Sequence, residues 1–429
     1  MKVLMFGWEF PPHISGGLGT ASYGLTRGLS TIRDLEITFV VPKAYGDEDQ
    51  RKMRLIGAGD VSLDKKHMRF SEVLGQISYI EVNSNLVPYH SPEEYEKLVN
   101  KAENKNKKLI HTTLGGKLVF SGGYGQNLYE EISNYALVAA QIADENPHDI
   151  IHAHDWLTYP AGIAAKSVSG KPLVIHVHAT DFDRSGGSVN PTVFDIELKG
   201  MHAADKIIAV SNLTRNTIIE KYGIDPAKVH TVYNAVEPIP NQEKIALKRG
   251  INDKVVTFLG RVTLQKGPEY FVQAAEKVLR KMDNVRFVMA GSGELLERMI
   301  NWAASLGIVD RFHFTGFLKG DDVFRMFSIS DVYVMPSVSE PFGISPLEAM
   351  QSNVPVIISH QSGVAEILKY AIKTDFWDVD AMADAIYGLL NYPSLSETFI
   401  KYGKEEVDNM KWENSAKRVH SIYNEAVNS

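Results

Sequence analysis

Short runs of apolar residues recur along the chain, each followed by a loop and then by a segment whose apolar positions repeat every three or four residues. The runs at 2–6, 35–41, 149–153, 173–178, 206–210 and 229–233 are almost continuously hydrophobic. Strands of a parallel sheet covered on both faces require that composition. Residues 20–31, 129–145 and 213–222 carry the helical period between them. Beyond residue 242 the alternation restarts, with strands at 255–259, 285–290, 312–315, 332–335 and 354–358. Helical segments at 268–281, 295–306, 321–329, 346–351 and 382–390 separate them. Two successive βαβ series predict an α/β protein with two doubly wound, Rossmann-like domains. Pro238-Ile-Pro-Asn-Gln242, with two prolines and no period, reads as the linker.

The expected domains are therefore 1–238 and 239–411, followed by a helix over 412–429. Residues 45–125 break the rhythm, being charged and weakly periodic, and read as an insertion in the first domain. Within it, Ser91-Pro-Glu-Glu-Tyr95 marks a helix start and 77–82 a strand. The basic run 101–108 reads as a solvated face.

Composition narrows the function classes. The 429 residues are 44% hydrophobic and 23% charged, ordinary for a globular protein. The net charge of −7 argues against nucleic acid or an anionic membrane as the main partner. There is no cysteine, hence no disulfide, thiolate nucleophile or zinc–thiolate site. The apolar start of the chain is too short for a signal-peptide core, and no apolar run is long enough to span a bilayer. A cytoplasmic location is expected.

The chemistry concentrates in three loops. Glu340-Pro-Phe-Gly-Ile-Ser-Pro-Leu-Glu348 sets two carboxylates with seven residues between them. Pro341 keeps the first half extended, whereas Pro346 opens a helix with Ser345 as its expected N-cap. Glu340 then lies in a loop and Glu348 in a first helical turn, on either side of the Phe342, Gly343 and Ile344 amides. Such amides suit an anion, and the flanking carboxylates suit sugar hydroxyls. Gly260-Arg261-Val-Thr-Leu-Gln-Lys266-Gly267 follows a strand and precedes a helix, placing two cations for a diphosphate. Gly16-Gly17-Leu-Gly19, after the first strand, lets a backbone approach phosphate closely.

Two His-x-His pairs, His152/His154 before Asp155 and His176/His178 before Asp181 and Asp183, fall at strand ends. Strand alternation alone puts both rings of a pair on one face. A metal-hydrolase spacing is not met, because Trp156 follows Asp155, and no metal site is assigned. Asp181-Phe-Asp183 and Asp378-Val-Asp380 match the DxD pattern of metal-dependent sugar transferases by spacing only.

Taken together, these motifs resemble the retaining glycosyltransferases of the two-domain GT-B architecture, family 4 type, and are similar to bacterial and archaeal glycogen or starch synthases. The resemblance implies two domains facing each other across a cleft that closes over the donor, with the last helix packing back on the first domain. It implies that Glu340 holds donor-sugar hydroxyls among the Phe342, Gly343 and Ile344 amides. Glu348 would hold the ribose, Arg261 and Lys266 the diphosphate, and Gly17 the distal phosphate. His178 would contact the donor sugar, and His154 and Asp155 the acceptor side. The implied activity is transfer of a hexosyl unit, glucosyl by preference, from a nucleotide sugar to a saccharide acceptor such as an α-glucan, with no cofactor and no metal. Alternatives are a sugar phosphate, lipid or cell-envelope glycan as acceptor, or an inactive nucleotide-sugar-binding module. Bacterial glycogen synthases carry Lys-x-Gly-Gly-Leu in the first loop, whereas this chain has Ile14-Ser-Gly-Gly-Leu18. That departure favours a UDP-sugar over an ADP-sugar.

Overall fold

The computed structural model describes residues 1–13, 16–63, 117–239, 247 and 250–429. Ile14, the 77–82 strand, the 91–95 helix start, the 101–108 run and residues 240–242 of the linker lie outside them. The chain forms two compact units. The first comprises Met1–Asp181, Ser188–Asn234 and Trp412–Ser429; the second comprises Phe182–Gly187 and Ala235–Lys411.

Among the described residues of the first unit seven strands, all parallel, run in the order β3-β2-β1-β4-β5-β6-β7. They are β1 Lys2–Phe6, β2 Glu36–Val41, β3 Arg54–Gly57, β4 Ile150–His154, β5 Leu173–Val177, β6 Lys206–Ala209 and β7 Val229–Thr231. Central β4 and β5 are buried at every position, which is why their sequences are apolar runs rather than alternations. β3 corrects the reading of residues 45–125 as insertion throughout. It is the edge strand, pairing with β2 from Thr38↔Arg54 to Val41↔Gly57. Four residues flanked by charge leave too little periodicity to detect.

The helix Trp412–Val427 also belongs to this unit. It buries Trp412, Ala416, Val419, Ile422, Tyr423 and Ala426, one face at helical spacing. It lies against the helix Gly17–Leu29 at van der Waals distance. A Cβ on Gly24 would stand 2.3 Å from the Trp412 ring, and one on Gly28 would stand 2.6 Å from the Trp412 carbonyl oxygen.

The second unit holds β8 Lys254–Leu259, β9 Val285–Ala290, β10 Phe312–Gly316, β11 Val332–Met335, β12 Val356–Ser359 and β13 Ile372–Thr374. The order is β10-β9-β8-β11-β12-β13, again parallel throughout. Counted from its first strand this is 3-2-1-4-5-6, the doubly wound order whose direction reverses between β8 and β11. Val256, Phe258, Phe271, Phe287 and Met289 anchor its core.

Among the described residues the sequence reading assigns no element to the short helix Asp181–Ser185 or to three longer ones, Tyr159–Ser169, Pro191–Ala203 and Pro393–Val407. Each of the three longer helices has proline at its first or second position, where the missing N–H is not needed, so the residue that looks like a breaker is a starter. Among the described residues no helix is long and apolar enough to cross a membrane.

Candidate active site

The loops after β8 and β11 leave the sheet at its reversal point, where open α/β sheets bind ligands. They clasp each other. Gly267 turns at φ +64°, and a Cβ there would lie 2.1 Å from the Pro336 carbonyl oxygen. Val338 N–H donates to the Gln265 carbonyl at 2.9 Å. This contact brings Lys266, at the end of the short 3-10 turn Leu264–Lys266, against Glu340. Its ammonium forms an ion pair with Glu340 Oε2, which also accepts from Ser337 Oγ at 3.3 Å. Glu340 is 7% exposed, and the loop after β12 pins it on both sides. Its N–H donates to the Gln361 carbonyl, and its carbonyl accepts from Gly363 N–H, both at 2.9 Å. Arg261 is exposed, with Nη2 donating to Gln265 Oε1 at 3.4 Å.

Gly343, at φ +100°, bends the chain from Glu340 into the helix Ser345–Gln351. The expected N-cap role of Ser345 is corrected. Ile344 is the N-cap and Ser345 the first helical residue. The Ile344 carbonyl already accepts from the Leu347 and Glu348 amides, so no hydroxyl cap is required there. Ser345 Oγ instead pairs with Tyr333 Oη at 2.8 Å. Glu348 projects from the first turn, and desolvation pushes its carboxyl up to about 7. Phe342 is buried, its carbonyl accepting from Val364 N–H at 2.8 Å.

The first-unit candidates sit at the carboxyl ends of β1, β4 and β5. Gly16 and Gly17 are exposed, and Gly17 begins a helix. His154 of β4 pairs in register with His176 of β5. His154 Nδ1 lies 3.0 Å from Nε2 of His178, which keeps part of its surface exposed. Desolvation depresses His154 and His176 far below the usual imidazole range and takes His152 down to about 3. All three rings are neutral at physiological pH. Asp155 adopts φ +64°, a conformation non-glycine residues seldom occupy, with its N–H donating to the His176 carbonyl at 2.9 Å. Of the DxD residues, Asp181 accepts from Asn190 N–H and Asp183 from Ser339 Oγ at 2.6 Å. Asp378 caps the helix Val379–Asn391. These carboxylates have structural partners.

The model of the glycosyl transferases group 1 matches residues 241–406, and that of glycosyltransferase family 4 matches residues 123–238. This chain belongs to the GT-B glycosyltransferases of the family 4 type. An uncharacterized glycosyltransferase of Methanocaldococcus jannaschii is 27% identical over 446 residues, covering 99% of this chain and 98% of the relative. A glycogen synthase of Mycobacterium tuberculosis is 22% identical over 433 residues, covering 99% and 94%. Among solved structures, Anabaena HepE in complex with UDP and glucose superposes with a TM-score of 0.67 at 17% identity, over 99% of each chain.

In this glycosyltransferase several residues that organise the site escaped the sequence reading. Ser337 and Gln361 hold Glu340, Tyr333 holds Ser345, and Gly363 closes the loop below them. None forms part of a spaced motif. What they share is position within a few residues of the end of β11 or β12, a signal available once strand order is known.

Proposed function

We propose that this glycosyltransferase moves a glucosyl unit from UDP-glucose to a growing α-glucan, with retention at the anomeric carbon and without a catalytic metal. The observation that carries the donor half is the clasp at the β8/β11 reversal point. It pairs Lys266 with Glu340, with Arg261 on the same loop as Lys266 and Glu348 in the helix that follows Glu340. Departure of a nucleoside diphosphate builds charge on phosphate, and Arg261 and Lys266 are the cations of this loop that can meet it, Lys266 by turning from Glu340. Glu340 suits the sugar hydroxyls, with Phe342, Gly343 and Ile344 beside it, and Glu348 suits the ribose. Gly16 and Gly17, and His178, carry phosphate and donor-sugar roles by family resemblance; the acceptor-side role that the resemblance gives His154 and Asp155 is not carried further, because both are buried, at 0% and 4% exposure.

Two observations support UDP over ADP. Ile14 stands where glycogen synthases of the bacterial type have lysine, and the fold matches a protein solved with UDP and glucose. The α-glucan acceptor draws on the full-length similarity to a glycogen synthase.

The test is nucleoside diphosphate release from UDP-glucose and ADP-glucose, with glycogen, maltooligosaccharides, sugar phosphates or no acceptor, with and without Mg²⁺. Release of UDP dependent on glycogen or maltooligosaccharide, unchanged by Mg²⁺, with an α-linked product by NMR, supports the reading. Release with sugar phosphates alone would move the acceptor assignment to that class. Absence of release from every donor would overturn it.

A further inference from the structure

We propose that His152, His154 and His176 form a buried three-imidazole site for a divalent transition-metal ion of the zinc class, within the first unit and independent of the donor reading. The three rings share one face of two neighbouring strands. His152 and His154 are two apart on β4, and the register sets His154 opposite His176 on β5. Their exposures are 0%, 0% and 2%. One nitrogen from each ring lies within 4.8 Å of the other two.

The hydrogen bonds sort the ring nitrogens into two sets. His152 Nδ1 meets Tyr423 Oη at 2.6 Å, and His154 Nδ1 meets His178 Nε2 at 3.0 Å. Among the described residues the opposite nitrogens, His152 Nε2 and His154 Nε2, have no hydrogen-bond partner, and neither ring nitrogen of His176 has one. Buried polar atoms are nearly always satisfied, so three neighbouring imidazoles with unused nitrogens require an explanation. Stacking of the rings does not supply it, because stacking leaves those nitrogens unbonded. A metal ion does.

Metal-bound histidines characteristically donate their other N–H to an outer acceptor, and Tyr423 Oη and His178 Nε2 are in place for two of the three rings. The donor set is three neutral nitrogens without carboxylate. It suits Zn²⁺, Co²⁺, Ni²⁺ or Cu²⁺ rather than Mg²⁺ or Ca²⁺. Zinc–nitrogen bonds of about 2.0–2.1 Å place the nitrogens of a tetrahedral site roughly 3.4 Å apart, so the rings, now stacked at interplanar angles of 29°, 8° and 22°, must turn about their side-chain torsions to converge on an ion. Each ring binds as neutral imidazole and keeps one proton. His152 donates its proton to Tyr423 Oη, and His154 donates to His178 Nε2. Occupancy would therefore fix the tautomer of His178, with its proton on Nδ1.

Because the site is closed to solvent, loading accompanies folding. The full chain is unfolded with chelator, then refolded with one equivalent of Zn²⁺ or Co²⁺, and bound metal is counted by native mass spectrometry. The expected result is one ion per chain, a visible cobalt absorption of tetrahedral intensity, and at least tenfold weaker retention in His152→Asn and His176→Asn. His13→Asn serves as the control, since His13, Asp47 and Glu48 form the other cluster with ligand spacing among the described residues. It should retain the ion. X-ray absorption of cobalt-loaded wild type keeps the test decisive where the variants fail to refold. Three imidazole ligands support the site, and fewer than three overturn it. Failure of the wild type to retain an ion, or equal retention in His176→Asn, also overturns it.

Discussion

Lys266 and Glu340 neutralise each other, so a donor diphosphate arriving at this pair would compete with a carboxylate already in place. In the proposed transition state the ammonium moves its interaction toward phosphate, and Arg261 adds a second cation from the exposed edge of the loop. Removing one preorganised donor of this kind typically costs about 2.7–4 kcal/mol. Lys266→Ala and Arg261→Ala should each lower turnover roughly 10²–10³-fold, measured as diphosphate release at saturating donor; near-normal rates would sink the diphosphate assignment. Glu348 makes a prediction of opposite sign for stability. Its folded pKa of about 7 stands above the ordinary carboxyl value, so its contribution is fully favourable below the unfolded pKa and is lost as pH rises through 7. Glu348→Gln should therefore melt higher than wild type at pH 8.5, by on the order of 1–2 kcal/mol after discounting for its partial exposure, and equal it near pH 4.5. The same variant should bind UDP more weakly. Equal melting temperatures at both pH values would show that the carboxylate is not desolvated. The two glutamates, the arginine and the lysine were legible in sequence because each follows a strand by a fixed short loop. Ser337 and Gln361 were not, since they act through register and backbone carbonyls that no local spacing encodes.

Glycines at helix contacts show why element packing resists reading from one sequence. Gly28 and Gly388 are both helical glycines, and propensity alone says that alanine would stabilise either by roughly 0.5–1 kcal/mol. Their surroundings reverse one of the two. A Cβ at Gly28 meets backbone, the Trp412 carbonyl oxygen at 2.6 Å, whereas the nearest atom to one at Gly388 is Leu395 Cδ2 at 3.7 Å. Backbone cannot turn aside, and overpacking of this kind costs about 1–3 kcal/mol. Gly28→Ala should lower the melting temperature and Gly388→Ala should raise it slightly; shifts of the same sign would show that the helix Trp412–Val427 yields. The elements themselves were largely legible where apolar runs or the helical period persist. They failed at β3 and β13, too short to show a period, and at the helices Tyr159–Ser169, Pro191–Ala203 and Pro393–Val407, each with proline in its first two positions. The failure is local: Pro268 and Pro346 follow motifs that already mark a helix start, whereas at Pro160, Pro191 and Pro393 only the hydrogen-bond pattern shows that proline stands where no donor is required.

At the scale of the whole chain, the first unit is built from both ends of the sequence. It is left at Asn234 and re-entered at Trp412, and Ser415 Oγ donates to the Tyr233 carbonyl at 2.7 Å beside the exit. The last helix supplies Trp412, Val419, Ile422 and Tyr423 to its interior, all 5% exposed or less. At roughly 1.5–3 kcal/mol for each large side chain, these four contribute on the order of 6–12 kcal/mol. A domain's entire stability is about 5–15 kcal/mol, so the first unit cannot spare them. The second unit keeps every strand of its sheet and the core around Phe258, Phe271 and Phe287 without this helix. A chain ending at Lys411 should therefore lose cooperative folding of the first unit and keep that of the second. Proteolysis should spare 250–411 while degrading 117–234, hydrogen exchange should quicken in β4 and β5, and UDP should still protect the loops after β8 and β11. A synthetic peptide of residues 412–429 added in trans should restore protection of β4 and β5. Survival of the first unit without the helix would mean that the helix is an accessory. Collapse of both units would mean that the second, despite its own complete sheet, depends on the first for its stability.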